Sequence, residues 1–437
     1  MSEPTSAYSF YDLLLRVAKE AGIAYYGSAG SGKAVIPVDA EQLQTVKSMV
    51  NDGIKMFIED APPKGWRWMR RIASVNIDNT RITGTADDAD GTSITDLTLA
   101  DTYDADDDLN DYWCYILTGT GAGSYAQITD YTTLTGKVTV ADWLDQYGNA
   151  SGTDPVATDT FAITQVETVA GDVARYPLPT NFGGEVNGNI GYAADSNHGT
   201  VIDWVDESEI RASRASTVTS GYPSKAAIRP LEYASSAAQP GRRWELIVDS
   251  EPGSEDTLTF PYTLYFDNLR LEAAIATAAD ATSVTGGTLA NLYPDDYFND
   301  WIVTIMSGTG EKSYASITDY TGSTGKVTVA DWLKSDGTAG GIDPVADSTF
   351  YMVPISNLHP AGFKFDRTVL AACLAEAEVK LEDITAGYVQ MYMQKALPRA
   401  YAADTRTAPR KLGSMNRRSL NRYNAHSNEW DDITYNG

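Results

Sequence analysis

The sequence predicts an α+β protein. Its expected core is a helical bundle, two N-terminal helices plus a long C-terminal helix, joined to an antiparallel β module and carrying two inserted, homologous, small all-β domains. Three observations predict this. Ser124–Leu144 and Ser313–Leu333 are identical at 18 of 21 positions, at a constant offset of 189 residues. Helical apolar spacing is confined to stretches near the two ends of the chain. Between them, short alternating runs are separated by Gly, Pro, Asp and Asn clusters, the pattern of strands and tight turns.

The repeat comes first, because a missed repeat mis-assigns everything around it. Its offset holds from Asn110 and Asn299 to Phe161 and Phe350, and upstream matching resumes after a one-residue slip. The two copies are too far apart for a solenoid, so each is expected to be a small β-barrel or sandwich set into a host. The chain then divides into host residues 1–90, with helices at 9–22 and 39–61 and a first strand, and a first repeat at 91–165. A host β module at 166–280 and a second repeat at 281–354 follow. The chain ends with a host helix within 355–404 and an extended basic arm at 405–437.

In the host, Ser9 with Asp12 three residues on reads as a capping box. Leu13, Leu14, Val17, Ala18 and Ala21 then follow helical spacing up to Gly22. A second helix opens near Asp39, with Leu43, Val46, Val50, Ile54 and Phe57 as its apolar stripe, and Pro62-Pro63 stops it. Strands are expected at Ile72–Ile77, Ile163–Val169, Ala174–Leu178, Val201–Val205, Lys225–Arg229, Trp244–Val248 and Leu258–Phe266, with a helical turn at Glu207–Arg214. The last helix begins at Asp366 and is expected to run to about Ala396, ahead of Pro398.

Composition narrows the function. The chain has 437 residues, 43% of them hydrophobic, enough for real cores, and no run of 18 apolar residues that would span a membrane. Met1–Ser9 has neither the basic nor the apolar part of a signal peptide. Cys114 and Cys373 sit in different modules, so no disulfide framework is expected. Net charge is −26 and unevenly spread. Residues 91–165 carry twelve Asp against one Lys, and residues 281–354 a net −6. Arg406, Arg410, Lys411, Arg417, Arg418 and Arg422 stand together without an acid among them.

Several motifs invite chemistry. Gly27–Ala34 reads GSAGSGKA, close to a phosphate loop, but Ala34 stands where a metal-binding Ser or Thr belongs, and Val35-Ile36-Pro37 follows instead of a helix. A flexible inter-helix loop through Gly27, Gly30, Gly32 and Lys33 is the expectation, placed at a subunit interface or facing a channel. Asp104, Asp106 and Asp108 hint at calcium, yet Leu109 and Tyr115 occupy the loop positions where Gly and Glu are needed. A solvated acidic turn is the plainer reading. Trp143, Trp332, Tyr131 and Tyr320 recur in both repeats, as a glycan platform or, in so small a domain, as core. Trp66-Arg67-Trp68 is either a base-stacking element or a packed interface. His198, His359 and His426 are scattered, and no catalytic or metal-binding constellation forms; no enzymatic activity, cofactor or metal is expected.

The host residues carry a family signal. Arg175–Pro179 reads RYPLP, Phe182-Gly183-Gly184 follows, and Ile202–Arg211 has the form Ile-x-x-Val-x-Glu-x-Glu-Ile-Arg. Gly221-Tyr222-Pro223, Ala227-Ile228, Arg242–Ile247, Pro252, Thr257–Thr259, Tyr262–Tyr265 and Ala372–Glu378 come next, in order. This series resembles the head-to-tail adaptor (connector) proteins of tailed bacteriophages. The resemblance implies a structural virion protein of the neck between capsid and tail, assembled in the host cytoplasm as a homo-oligomeric ring of about twelve copies. It implies docking beneath the portal through the C-terminal arm (Arg406, Arg410, Lys411, Arg417, Arg418, Arg422), contact with a tail or nozzle protein, and a channel that passes double-stranded DNA during ejection without binding it specifically. The acidic composition suits such a conduit, since a negative wall repels phosphate. The repeats are expected on the outside of such a ring, where their like charges lie farther apart. A different reading makes the paired β repeats a virion surface that binds host glycans.

Overall fold

A computed structural model of the chain describes residues 8–27, 30, 32–146, 148, 150, 152–193, 201–215, 220–231, 243–382 and 387–406. The chain falls into two units, Met1–Trp68 with Asp267–Gly437, and Met69–Phe266.

The first unit opens with α1 (Phe10–Glu20), whose capping box is formed: Asp12 N donates to Ser9 Oγ at 3.2 Å and Ser9 N to Asp12 Oδ2 at 3.0 Å. Helix α2 (Ala40–Glu59) is capped by Asp39, whose Oδ1 accepts from Glu41 N and Gln42 N. Both caps satisfy amide donors that the first helical turn leaves without partners.

The second unit begins with β1 (Arg70–Ile77) and then enters the first repeat. There β2 (Arg81–Thr85), β3 (Asp88–Asp90), β4 (Ser93–Thr95), α3 (Leu97–Ala100), β5 (Trp113–Thr118), β6 (Tyr125–Thr132), β7 (Lys137–Val140) and β8 (Thr160–Thr164) follow one another. The strands order as β2-β8-β5-β6-β7-β4-β3 in a nearly closed barrel. The core holds Leu109, Cys114, Ile116, Ile128, Tyr131, Trp143 and Phe161.

The chain next builds a sheet from β9 (Arg175–Pro177), β10 (Phe182–Val186), β11 (Ile190–Tyr192) and β12 (Val201–Trp204). After α4 (Glu207–Arg214) come β13 (Ser220–Gly221), β14 (Lys225–Pro230), β15 (Trp244–Val248), β16 (Glu251–Pro252) and β17 (Asp256–Leu264). The order is β1-β17-β11-β12-β14-β15-β9, with β10 also on β17 and with β13 and β16 paired separately. All its ladders are antiparallel except the short β12–β14 pairing, which is parallel. Its core gathers Tyr176, Phe182, Ile202, Leu246, Leu258 and Phe260.

Back in the first unit, β18 (Glu272–Asp280), β19 (Ser283–Gly286), β20 (Ile302–Ser307), β21 (Tyr314–Thr321), β22 (Lys326–Val329) and β23 (Thr349–Val353) close a barrel ordered β18-β19-β22-β21-β20-β23. The single strand β18 does the work of β2 and β3 in the first copy, where the strand breaks at Ala86-Asp87. Each barrel thus starts ahead of the repeat bounds expected from sequence, at Arg81 rather than residue 91 and at Glu272 rather than residue 281. Both copies turn on a glycine of positive φ: a Cβ on Gly136 (φ +62) would lie 2.0 Å from the Asp96 carbonyl oxygen, and one on Gly325 (φ +67) 2.4 Å from that of Gly286. No side chain fits either turn.

Helix α5 (Asp366–Glu382) crosses α2 at Gly53, and α6 (Gly387–Met391), a π turn (Tyr392–Ala396) and α7 (Leu397–Arg406) follow. Pro398 was expected to end the helix. It instead follows directly on the π turn, where Leu397 N donates to Tyr392 O and the ladder is already irregular, and the helix carries two residues into the segment expected as arm. Phe57, Trp66, Phe365 and Tyr401 pack their rings at centroid distances of 4.8 to 5.8 Å.

The expected fold class needs correction. The protein is not a helical bundle with small inserts: strand residues are 34% of the chain against 24% helix, and the repeats are closed or nearly closed barrels. The reason lies in strand composition. Segments such as Arg81–Thr85 (RITGT) and Glu272–Asp280 (EAAIATAAD) are rich in Gly, Ala and Thr, carry little of the branched or aromatic signal of a strand, and gain their partners only through tertiary pairing.

Candidate functional site

The residues singled out from sequence fall in separate places. Arg406 ends α7, while Arg410, Lys411, Arg417, Arg418 and Arg422 lie outside the described residues. Among the described residues of the glycine loop, Tyr25 and Val35 form an antiparallel bridge and Gly32 N donates to Tyr26 O at 2.7 Å. The loop opens no helix, since α2 starts only at Ala40, so it lacks the helix N-terminus on which a phosphate loop depends. Lys33 lies 3.6 Å from Glu311 of the second barrel, an exposed pair of little energetic weight.

Trp66 is buried and donates from Nε1 to the carbonyls of Phe57 and Ile58, so it presents no face for stacking. Trp143, Trp332, Tyr131 and Tyr320 are all 0% exposed in the barrel cores. Two carboxylates of the acidic turn accept from backbone amides: Asp108 from Ala105 N within the turn, and Asp106 from Thr133 N in the turn between β6 and β7. Among the described residues, no three His, Cys, Asp or Glu side chains converge as metal ligands, and no helix is long and apolar enough to cross a membrane.

Two constellations in the second unit went unnoticed in the sequence. The first centres on Glu245 of β15, fully buried. Its Oε2 accepts from Arg175 Nε at 2.9 Å and from the same guanidinium at 2.8 Å, while Oε1 accepts from Arg229 Nε. Register explains the meeting, because Arg229 on β14 is the direct cross-strand partner of Glu245, and β9 brings Arg175 to the other side. Arg229 also reaches Glu207 at 3.1 Å, and Arg214 holds both oxygens of Asp172 at 3.1 Å. Every one of these carboxylates has a guanidinium partner, so the network is locally neutral and holds α4 onto the sheet.

The second is a cavity of about 390 Å³ between the outer face of the first barrel and the neighbouring sheet strands. Tyr115 and Tyr125 stack at 5.5 Å along it. Arg243 donates to Tyr125 Oη at 3.2 Å and lies 3.6 Å from Glu167. Burial pushes the Glu167 carboxyl above its usual range, against the pull of Arg243. Thr168 N donates to Tyr115 Oη at 2.7 Å.

In the first unit, His359 is buried with Nε2 2.6 Å from Asp366 Oδ1, at the start of α5. Burial lowers the His359 pKa below 6.5, outweighing the carboxylate. The folded state therefore favours the neutral ring, and the unfolded chain takes up the proton first as pH falls. The stability this site contributes is complete above about pH 6.5 and is lost below it. Wild-type melting temperature is expected to fall more steeply below that pH than that of His359→Gln; parallel slopes in a pH series of thermal melts would refute the linkage.

No protein-family model matches the chain, and comparison with curated proteins and with solved structures returns no significant match either.

Proposed function

We propose that this chain is a structural virion protein, a head-to-tail adaptor that assembles as a ring of about twelve copies beneath the portal, links it to the tail and forms part of the DNA channel. One observation carries the reading. The motifs that resemble the adaptor family are scattered over nearly a hundred residues of sequence, yet most fall on one sheet and its helix: Arg175–Pro177 is β9, Phe182–Val186 is β10, Glu207–Arg214 is α4, and Trp244–Val248 is β15. The barrels carry none of them. A host module that keeps its own sheet while two barrels interrupt the chain is what an embellished adaptor requires.

On this reading the protein performs no catalysis and holds no cofactor. Its partners are copies of itself, the portal and a tail or nozzle protein, and its place is the neck of the virion. Native mass measurement and negative-stain imaging, of the protein alone and with portal complexes, test it. A ring, alone or only on the portal, is expected; a monomer indifferent to the portal would end the proposal. Removing residues 407–437 leaves α7 intact and is expected to abolish portal association without changing the thermal midpoint. Undiminished docking by that truncation would remove the arm from the mechanism and leave the ring to be judged separately.

A further inference from the structure

The host sheet is open, with β1 at one end of its strand order and β9 at the other. Alternate residues of a strand turn their N–H and C=O to opposite edges, so register decides what each end offers. On β17, Pro261 O accepts from Asn187 N and Thr257 O from Ala193 N, so these residues face the β10 and β11 side. Ile72, Ser74 and Asn76 of β1 stand opposite Pro261, Thr259 and Thr257. They therefore turn their backbone groups away from β17, toward the free edge. Those groups have no backbone partner among the described residues. Ile72 is 74% exposed, and Ser74 and Asn76 are exposed as well.

The other end of the sheet is closed. Ala174 O accepts from Val248 N and Leu178 N donates to Trp244 O, so the even-numbered residues of β9 and its flanks face β15, and Arg175 and Pro177 face outward. Arg175 N donates to Asp172 O at 2.9 Å and its carbonyl accepts from Val169 N at 2.8 Å, while Pro177 has no N–H to offer. A proline and a turn folded back on the strand are ways in which sheets protect an edge. Strand β1 has neither: it runs eight residues without a proline and pairs with β17 without a bulge.

The groups at the open edge define what fits it. Donors and acceptors alternate there at strand spacing, which matches another extended backbone, whereas a phosphate would use the donors alone. Charge selects among extended chains. Residues 61–77 carry Lys64, Arg67, Arg70 and Arg71 and no acid, in a chain of net charge −26. Arg70 and Arg71 open β1 itself, and the β17 residues beside the exposed face of β1, Thr257, Thr259, Pro261 and Thr263, are uncharged. We propose that the free edge of β1 takes an extended acidic segment of a partner protein, which joins the host sheet as a further strand. The inference does not depend on ring assembly or on portal docking.

The test uses the full chain and two fluorescein-labelled heptapeptides, one alternating Glu and Val, the other Lys and Val, read by fluorescence anisotropy. Saturable binding of the acidic peptide with a Kd on the order of 100 μM, and binding of the lysine peptide about tenfold weaker, are expected. Methylating alternate backbone nitrogens of the acidic peptide separates strand addition from simple attraction of charge. One methylated set should abolish binding and the other leave it unchanged, because only one edge of an added strand meets β1. Ser74→Pro removes an N–H that β17 does not use. It should weaken the acidic peptide about tenfold and leave the thermal midpoint within about 4 °C of wild type. The methylated peptides keep the test decisive should that variant fold poorly. Arg70→Glu with Arg71→Glu should reverse the preference between the two peptides. No saturable binding, or equal binding of the two methylated forms, would overturn the assignment. Binding that appears only after residues 407–437 are removed, or a dimer that Ser74→Pro dissolves, would overturn it too, in favour of the chain's own end or a second copy.

Discussion

Gly53→Leu is expected to be the most damaging single substitution in the helical part of the protein. A Cβ at this position would stand 2.5 Å from Cys373 Cα and 2.8 Å from Cys373 N, so what it meets is the backbone of α5 rather than a yielding side-chain end. Cys373 is itself fully buried, with Sγ 3.5 Å from Val50 O on α2. The crossing cannot widen without disturbing two helices whose Val46, Val50, Val369 and Ala372 are all fully buried. Gly53→Ala gains about 1 kcal/mol of helix propensity yet forces the same collision, for a net loss of about 2 kcal/mol. Gly53→Leu adds three further carbons and should lose about 4 kcal/mol or more. Urea unfolding followed by far-ultraviolet circular dichroism measures both. An alanine variant as stable as wild type would show that the helices are not held at this distance.

Glu245→Ala is expected to cost the second unit about 3 kcal/mol. The carboxylate is fully buried and bonded by two arginines, and its removal leaves both guanidinium groups facing each other across a void. Breaking a buried pair from one side typically costs 3–5 kcal/mol. The lower figure applies because Arg175 and Arg229 are 24% and 37% exposed and can draw on water. Glu245→Gln keeps the shape and one acceptor but not the charge, and should lose about half as much. Adding Arg229→Leu to Glu245→Ala should recover part of the loss, since it removes one of the stranded charges. A full additive loss in that double variant would mean the two groups act independently.

The sequence revealed local features best and tertiary ones least. The duplication was plain because 18 of 21 residues coincide. Helices α1 and α2 were legible from Ser9, Asp12 and Asp39, whose caps form as written, and from apolar stripes that point to a core. Strands β14 and β15 were found within a residue of their ends; in β15 Trp, Leu, Ile and Val concentrate. What failed was the weighing of the parts. Strands built from Ala, Gly and Thr look like loops until a neighbour is paired to them, so the protein read as more helical than it is. The candidate sites failed for a related reason. Arg175 and Glu245 stood in family motifs and Arg229 at the end of an expected strand, and only the β9–β15–β14 pairing brings the three together. Tyr115, Thr168 and Arg243 have no spacing that marks them as neighbours.

The pairing of first and last strands in each barrel bears on how the host sheet can form at all. Ile77 on β1 must find Asp256 on β17, about 180 residues along the chain. Arg81 pairs with Thr164 at the mouth of the first barrel, and Glu272 with Met352 at that of the second. Once a barrel has folded, the host chain leaves it almost where it went in, and the whole cassette counts as little more than a hairpin turn. Closing the remaining loop is then cheaper by only about half a kcal/mol, because loop entropy grows with the logarithm of length. The same logarithm means that gaining such a cassette cost the host almost nothing in chain entropy. A barrel whose ends meet can be acquired, exchanged or lost between strands of the host while the contacts of the host sheet stay as they were.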